Sequence, residues 1–185
     1  MKIYKLKNKL SARYSCIAIL LACSPIAQAS WQDTAYQTIL KPYVQYRDCI
    51  KSASESVGIP EVLLMSVIRQ EYGYSGLAKK NNPNVYGVTH DYGVMQINDV
   101  RLIDHQSLIP HIKNNGCFNI LVGARMISKE ITKAEDFWQG VGNYHYNING
   151  KYPIRHSRYV KGVRAKWQEI YDIAKNTQIN KKLHK

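Results

Sequence analysis

Apolar residues recur at helical spacing over Pro60 to Tyr72, from about Phe118 to Ile131 and from about Arg158 to Ala174, and more weakly over Asp33 to Leu40 and Arg47 to Val57. In the first stretch Leu64, Val67 and Ile68 share one face. Pro60 suits a first helical turn, and Gly58 and Gly73 punctuate the two ends. The period changes between Tyr74 and Asn98. Gly76, Asn81-Asn82-Pro83-Asn84 and Gly87 are turn formers there, whereas Val85, Tyr86, Val88 and Thr89, then Tyr92, Val94 and Ile97, have strand character. The pattern predicts an α+β, mostly helical domain with a small antiparallel β-sheet. No repeat and no interdomain linker appears, so residues 30–175 read as one domain, and Asn176 to Lys185 as a basic, flexible tail.

Ahead of that domain the pattern is different in kind. Lys2, Lys5, Lys7, Lys9 and Arg13 form a basic leader without an acid, followed by an apolar run from Ile17 to Leu21, Pro25 and Ala27-Gln28-Ala29. This is the layout of a secretory signal peptide spanning residues 1–29, cleaved after Ala29, and it predicts a periplasmic product. The run is far short of the roughly 20 apolar residues that a membrane helix needs, so no stable membrane span is expected. Leu20-Leu21-Ala22-Cys23 resembles a lipoprotein processing box, which makes lipidation at Cys23 the alternative.

Composition adds two constraints. At 45% hydrophobic and 21% charged residues over 185 positions, the chain is neither disordered nor a multi-pass membrane protein. Its formal charge of +13 falls to +8 once the five leader cations are removed. Export and the lack of any recognised binding motif exclude nucleic acid as the anionic partner, and the remaining cations are scattered over a solvated surface. Cys16 and Cys23 belong to the leader, leaving Cys49 and Cys117 as an even pair in an oxidising compartment. If bonded they close a 68-residue loop, for which chain entropy gives about 4 kcal/mol. The alternative is two buried free thiols. No cluster has metal-ligand spacing, so no metal and no cofactor is expected.

Chemistry enters at Glu71, which follows Leu64, Val67 and Ile68 by seven, four and three residues and so shares their face near a helix C-terminus. Burial and the negative end of the helix dipole both disfavour the carboxylate and raise its pKa. A carboxyl protonated near neutral pH can act as a general acid. Without further support, a Glu at a face boundary that pairs with Arg69 or a lysine is the simpler reading.

That support follows in Asp91-Tyr92-Gly93-Val94-Met95-Gln96-Ile97-Asn98. Together with Arg69-Gln70-Glu71-Tyr72-Gly73, with Tyr144-His145, and with Arg158-Tyr159-Val160, this segment resembles the soluble lytic murein transglycosylases of the lysozyme-like superfamily. The likeness is greatest to the compact kind found with conjugation and type III or type IV secretion machines, and it spans about Cys49 to Val163. It implies a lysozyme-like domain in which Glu71 is catalytic and Gly93, Met95, Gln96, Tyr144, His145 and Tyr159 bind substrate. It also implies a disulfide between Cys49 and Cys117, peptidoglycan glycan strands as substrate, and components of a secretion or conjugation system as candidate partners. Tyr72 stands where the family usually has Ser, so that hydroxyl's hydrogen bond must come from elsewhere, with Ser75 the nearest candidate, or be absent. His145 stands where Asn is usual, and its charge varies with pH.

Mechanism depends on the number of carboxylates. The resemblance implies a single one: Glu71 protonates the oxygen between MurNAc and GlcNAc, then accepts the proton of the MurNAc C6 hydroxyl as that group closes a 1,6-anhydro ring. An intramolecular nucleophile has a high effective concentration, so no second carboxylate is mandatory. Asp91 is nevertheless the candidate second carboxylate, because Asp-Tyr-Gly-x-x-Gln-Ile-Asn also resembles animal-type lysozymes, which are two-carboxylate glycosidases. Its other reading is a turn residue bonding the backbone beside Gly93. Two alternatives to a transglycosylase thus stand: a peptidoglycan hydrolase using Glu71 and Asp91, and a non-catalytic peptidoglycan-binding or secretion-assembly protein on the same fold.

Overall fold

A computed structural model describes residues 30–183. The expected leader, with its cleavage site and Cys23, lies outside the described residues. The first helix, α1 (Trp31–Gln37), opens on a reciprocal cap in which Ser30 and Asp33 satisfy each other's backbone donors. A 3-10 turn (Lys41–Tyr46) leads into α2 (Arg47–Val57), which Gly58 ends in the left-handed conformation at φ 69°. Helix α3 (Glu61–Glu71) follows. Then come three short strands, β1 (Ala78–Lys80), β2 (His90–Tyr92) and β3 (Ile97–Asn98). A kinked 3-10 segment (Asp99–Leu108), α4 (Ile109–Asn114), α5 (Gly116–Lys133), α6 (Phe137–His145) and α7 (Pro153–Leu183) complete the order.

Helix α3 is the centre of the core. Leu63, Leu64, Met65, Ser66, Val67 and Ile68 are all buried, because the continuous apolar run leaves no solvated face. The one polar side chain in that run, Ser66, donates its hydroxyl to the Val62 carbonyl at 2.6 Å. Helix α7 packs along α3 and is held there by side chains on both. Gly162 lies so close to Gln70 that a Cβ would collide with its amide; Lys166 Nζ donates to Gln70 Oε1 at 2.9 Å, and Arg69 pairs with Glu169 at 2.6 Å. On the other side, α2 and α5 are joined by the disulfide Cys49–Cys117, with Cα atoms 5.3 Å apart. The cysteines are therefore bonded, and the free-thiol alternative does not describe this fold.

The sheet is antiparallel in the order β1-β2-β3. Lys79 faces Asp91 in the first pair and Asp91 faces Asn98 in the second. Its strands differ in place from the sequence expectation. Val85, Tyr86 and Val88 lie in an exposed turn, where Asn84 accepts the Tyr86 N–H and Gly87 takes φ 81°. The Asn-Pro-Asn and Gly signals override the strand preference because no layer covers those side chains. The first strand instead uses Ala78-Lys79-Lys80, a fully exposed edge. At the other end of the chain, α7 continues through Asn176 to Leu183, so helix occupies residues whose polar composition suggested a tail.

Candidate active site

Helix α3 stops on Tyr72, which adopts the left-handed conformation at φ 54° and ψ 31°. A non-glycine residue rarely takes it; the glycine stands one position later, where it serves a different purpose. Gly73 does not have positive φ; a Cβ on it would collide with the carbonyls of Gly93 and Val94 and the amide of Gln96. Close backbone approach at Gly73 thus locks the end of α3 against the Gly93–Gln96 turn, and sets Glu71 above it.

The turn itself is fixed from several sides. Gly93 has φ 71° and Gln96 φ 48°, and the Gln96 side-chain amide donates to the Gly93 carbonyl at 2.7 Å. The phenol of Tyr144, from α6, donates to the Met95 carbonyl at 2.7 Å. From α5, fully buried Asn119 accepts the Met95 N–H at 2.7 Å and donates to the Tyr92 and Ile112 carbonyls at 2.8 and 3.0 Å. Asn119 was not singled out by the sequence reading. Its signal is a lone amide at helical spacing with Ile120, Ala124 and Ile127, where an unpaired polar group would be costly.

Glu71 faces a cleft of about 600 Å³ between the sheet loops and the α6–α7 region. Tyr159 from α7 donates its phenol to Glu71 Oε1 at 2.6 Å. Burial of the carboxyl pushes its pKa up to about 7; the Tyr159 hydrogen bond opposes that rise, the charge of Asp91 adds to it, and Lys79 opposes it. Tyr159 is itself held well above its ordinary value, first by burial and then by the Glu71 charge, so it remains a donor. His145 stacks on the Tyr159 ring at 4.6 Å and 4°. Although the outer edge of His145 is exposed, packing of its ring holds its pKa below the ordinary value, with nearby Arg155, Arg101 and Lys79 adding to the effect and Asp91 opposing it. The shift favours the uncharged ring, whose observed contact is the stack on Tyr159.

Glu71, Asp91, Gln96, Tyr144 and His145 line the one cleft. Asp91 lies in the middle strand, not in the turn, and its Oδ1 accepts from the Asn98 side chain at 2.7 Å. The remaining sequence candidates sit behind the wall. Met95 is buried with its side chain against Gly123, and a Cβ on Gly93 would strike Asn119. Both residues shape the turn from within, as does Tyr159 through Glu71. Ser75 is turned away, its hydroxyl donating to the Asn114 carbonyl at 2.6 Å, and Tyr72 projects into solvent at 77% exposure. No group of three or more metal-ligating side chains converges among the described residues.

A helical domain with a small sheet, a carboxyl at the end of its central helix and a fixed turn beneath it is the lysozyme-like arrangement. The chain belongs to the transglycosylase SLT domain family, whose model matches residues 48–170. It is also similar to Protein IpgF of Shigella sonnei, 26% identical over 145 residues that cover 77% of this chain and 92% of that protein. Protein IpgF of Shigella flexneri is 25% identical over the same lengths. Among the described residues no helix is long and apolar enough to cross a membrane.

Proposed function

We propose that this chain is a peptidoglycan lytic transglycosylase that cleaves the β-1,4 bond between MurNAc and GlcNAc with formation of 1,6-anhydro-MurNAc. The observation that carries the reading is the desolvated carboxyl of Glu71, raised to about 7 and oriented by Tyr159 in the cleft. At neutral pH a substantial fraction is protonated and can donate to the glycosidic oxygen as the C1–O bond breaks. The resulting carboxylate, with the Tyr159 phenol as its hydrogen-bond donor, then takes the proton of the C6 hydroxyl as that oxygen bonds to C1. One proton leaves Glu71 and one returns, and no water is consumed. Gln96, Tyr144 and His145 would position the sugar, while Gly93 and Met95 hold the turn in place.

Asp91 in the same cleft favours a second reading, hydrolysis with two carboxylates. Digestion of purified sacculi followed by muropeptide separation distinguishes the outcomes. Anhydro ends are expected; reducing ends would assign the hydrolase, and a folded protein that releases nothing would leave peptidoglycan binding as the role. The basic leader extends the proposal to action in the periplasm after removal of residues 1–29. The resemblance to compact, machine-associated transglycosylases extends it to local opening of the wall for a secretion or conjugation apparatus.

A further inference from the structure

Three cations line the cleft: Lys79, Arg101 and Arg155. Arg101 is already engaged. It pairs with Glu130 at 3.5 Å, donates to the Asn143 carbonyl at 2.8 Å and lies over the Tyr144 ring. Lys79 sits across the strand pair from Asp91 and opposes the rise of the Glu71 pKa. Arg155 is different. Like Lys79 it has no carboxylate in ion-pair range among the described residues, but its exposed guanidinium lies against two aromatic rings. It lies 5.7 Å from the centre of the Tyr146 ring and 5.1 Å from that of Tyr152.

Those two rings are themselves constrained. The Tyr152 N–H donates to the Tyr146 hydroxyl at 3.1 Å, and Gly150 packs against the Tyr146 ring so closely that a Cβ would meet it. The loop from Asn147 to Tyr152 is therefore folded around Tyr146, and the two phenols orient one arginine. Arg155 also occupies the first turn of α7, which contains no acidic residue and where a cation is the disfavoured sign. A guanidinium that is stacked on two aromatic rings, open to the cleft and without an acceptor is pre-organised for a planar anion supplied from outside.

Resting on the proposed function, which makes a murein strand the occupant of the cleft, we propose that Arg155 is a specificity residue that binds a carboxylate of the peptide stem carried by MurNAc. The glycan backbone offers only neutral acceptors and no anion for a guanidinium fork, whereas the stem carries carboxylates on the same MurNAc whose glycosidic oxygen Glu71 would protonate. Arg155 thus distinguishes strands that bear stems from bare strands, and the catalytic groups do not.

The test is binding, measured in the Glu71→Gln background so that it does not depend on which product the wild-type protein forms. Soluble strands with intact stems are compared with strands whose stem carboxylates have been converted to amides. Arg155→Ala is expected to weaken binding to intact strands about tenfold, as for loss of a charge-assisted hydrogen-bonded pair, and to leave binding to amidated strands essentially unchanged. Arg155→Lys, which keeps the charge and loses the fork, should recover part of the loss and controls for folding. Equal losses on both strand types, or no loss on either, would overturn the assignment. Strands stripped by an amidase retain only the lactyl carboxylate; full Arg155 dependence on them would overturn the stem as the group that is read. Failure of the transglycosylase reading would show separately, as reducing ends from the wild-type protein.

Discussion

The phenol of Tyr159 donates to Glu71 Oε1 at 2.6 Å, joining the second turn of α7 to the last residue of α3 across 88 positions of sequence. The bond favours the carboxylate, against the burial that disfavours it. Tyr159→Phe keeps the stack on His145 and removes only the donor. Cleavage of sacculi should slow by about tenfold, the effect of losing a hydrogen bond to a charged group, and the alkaline limb of the pH–rate profile should move to higher pH. A limb that stays in place would mean that the phenol does not tune Glu71.

Glu71→Gln should abolish cleavage while preserving the fold, because an amide oxygen can still accept from Tyr159. Its effect on stability has a definite sign. The folded-state pKa of about 7 lies above the ordinary 4.5, so between those values the folded protein binds more protons than the unfolded chain and loses stability as pH rises. The full displacement corresponds to at most roughly 3 to 4 kcal/mol. Gln does not titrate, so the variant should match the wild type near pH 4 and exceed it at pH 8 in urea unfolding. Equal stability at both pH values would show that Glu71 is not desolvated.

Asp91→Asn removes a negative charge that raises the Glu71 pKa. The alkaline limb should therefore move to lower pH, opposite to the shift expected for Tyr159→Phe. In a one-carboxylate transglycosylase much of the activity at acidic pH remains. Near-complete loss at every pH, with the protein folded, would make Asp91 a second catalytic carboxylate.

Asn119→Asp keeps the acceptor for the Met95 N–H but withdraws both donors and places a charge against the Tyr92 and Ile112 carbonyls. It should cost about 3 kcal/mol near neutral pH, and part of this should return in acid when the carboxyl is protonated. Thermal unfolding at two pH values measures this. No destabilisation would show that the three hydrogen bonds of Asn119 do not fasten the turn.

Local signals in the sequence were enough to place α2 and α3: Glu61–Glu71 carries a strong apolar pattern after Pro60, and the weaker pattern of Arg47–Val57 ends at Gly58. They also placed Glu71, since its spacing from Leu64, Val67 and Ile68 fixes its direction on the helix. Val85 and Tyr86 misled because strand preference expresses packing on a neighbouring layer, and the loop has none. The functional division between Gln96, which faces the cleft, and Met95, which faces the core, depends on the positive φ of Gln96, a tertiary outcome invisible to residue type. Asn119 and Arg155 were missed for the same reason. One is defined by three distant carbonyl and amide partners, the other by two rings brought together by a loop.

The Gly93–Gln96 turn is fastened by Gly73 at the end of α3, by the Leu77 carbonyl beside β1, by Asn119 in α5 and by Tyr144 in α6. None comes from the loop between Asn81 and Thr89, which supplies cleft wall through Pro83 and Tyr86. This loop and the turn are thereby held separately. On the proposed function, insertions, deletions or exchanges in that loop would alter which strand is admitted without moving Glu71, so substrate range could drift while the bond broken stays the same.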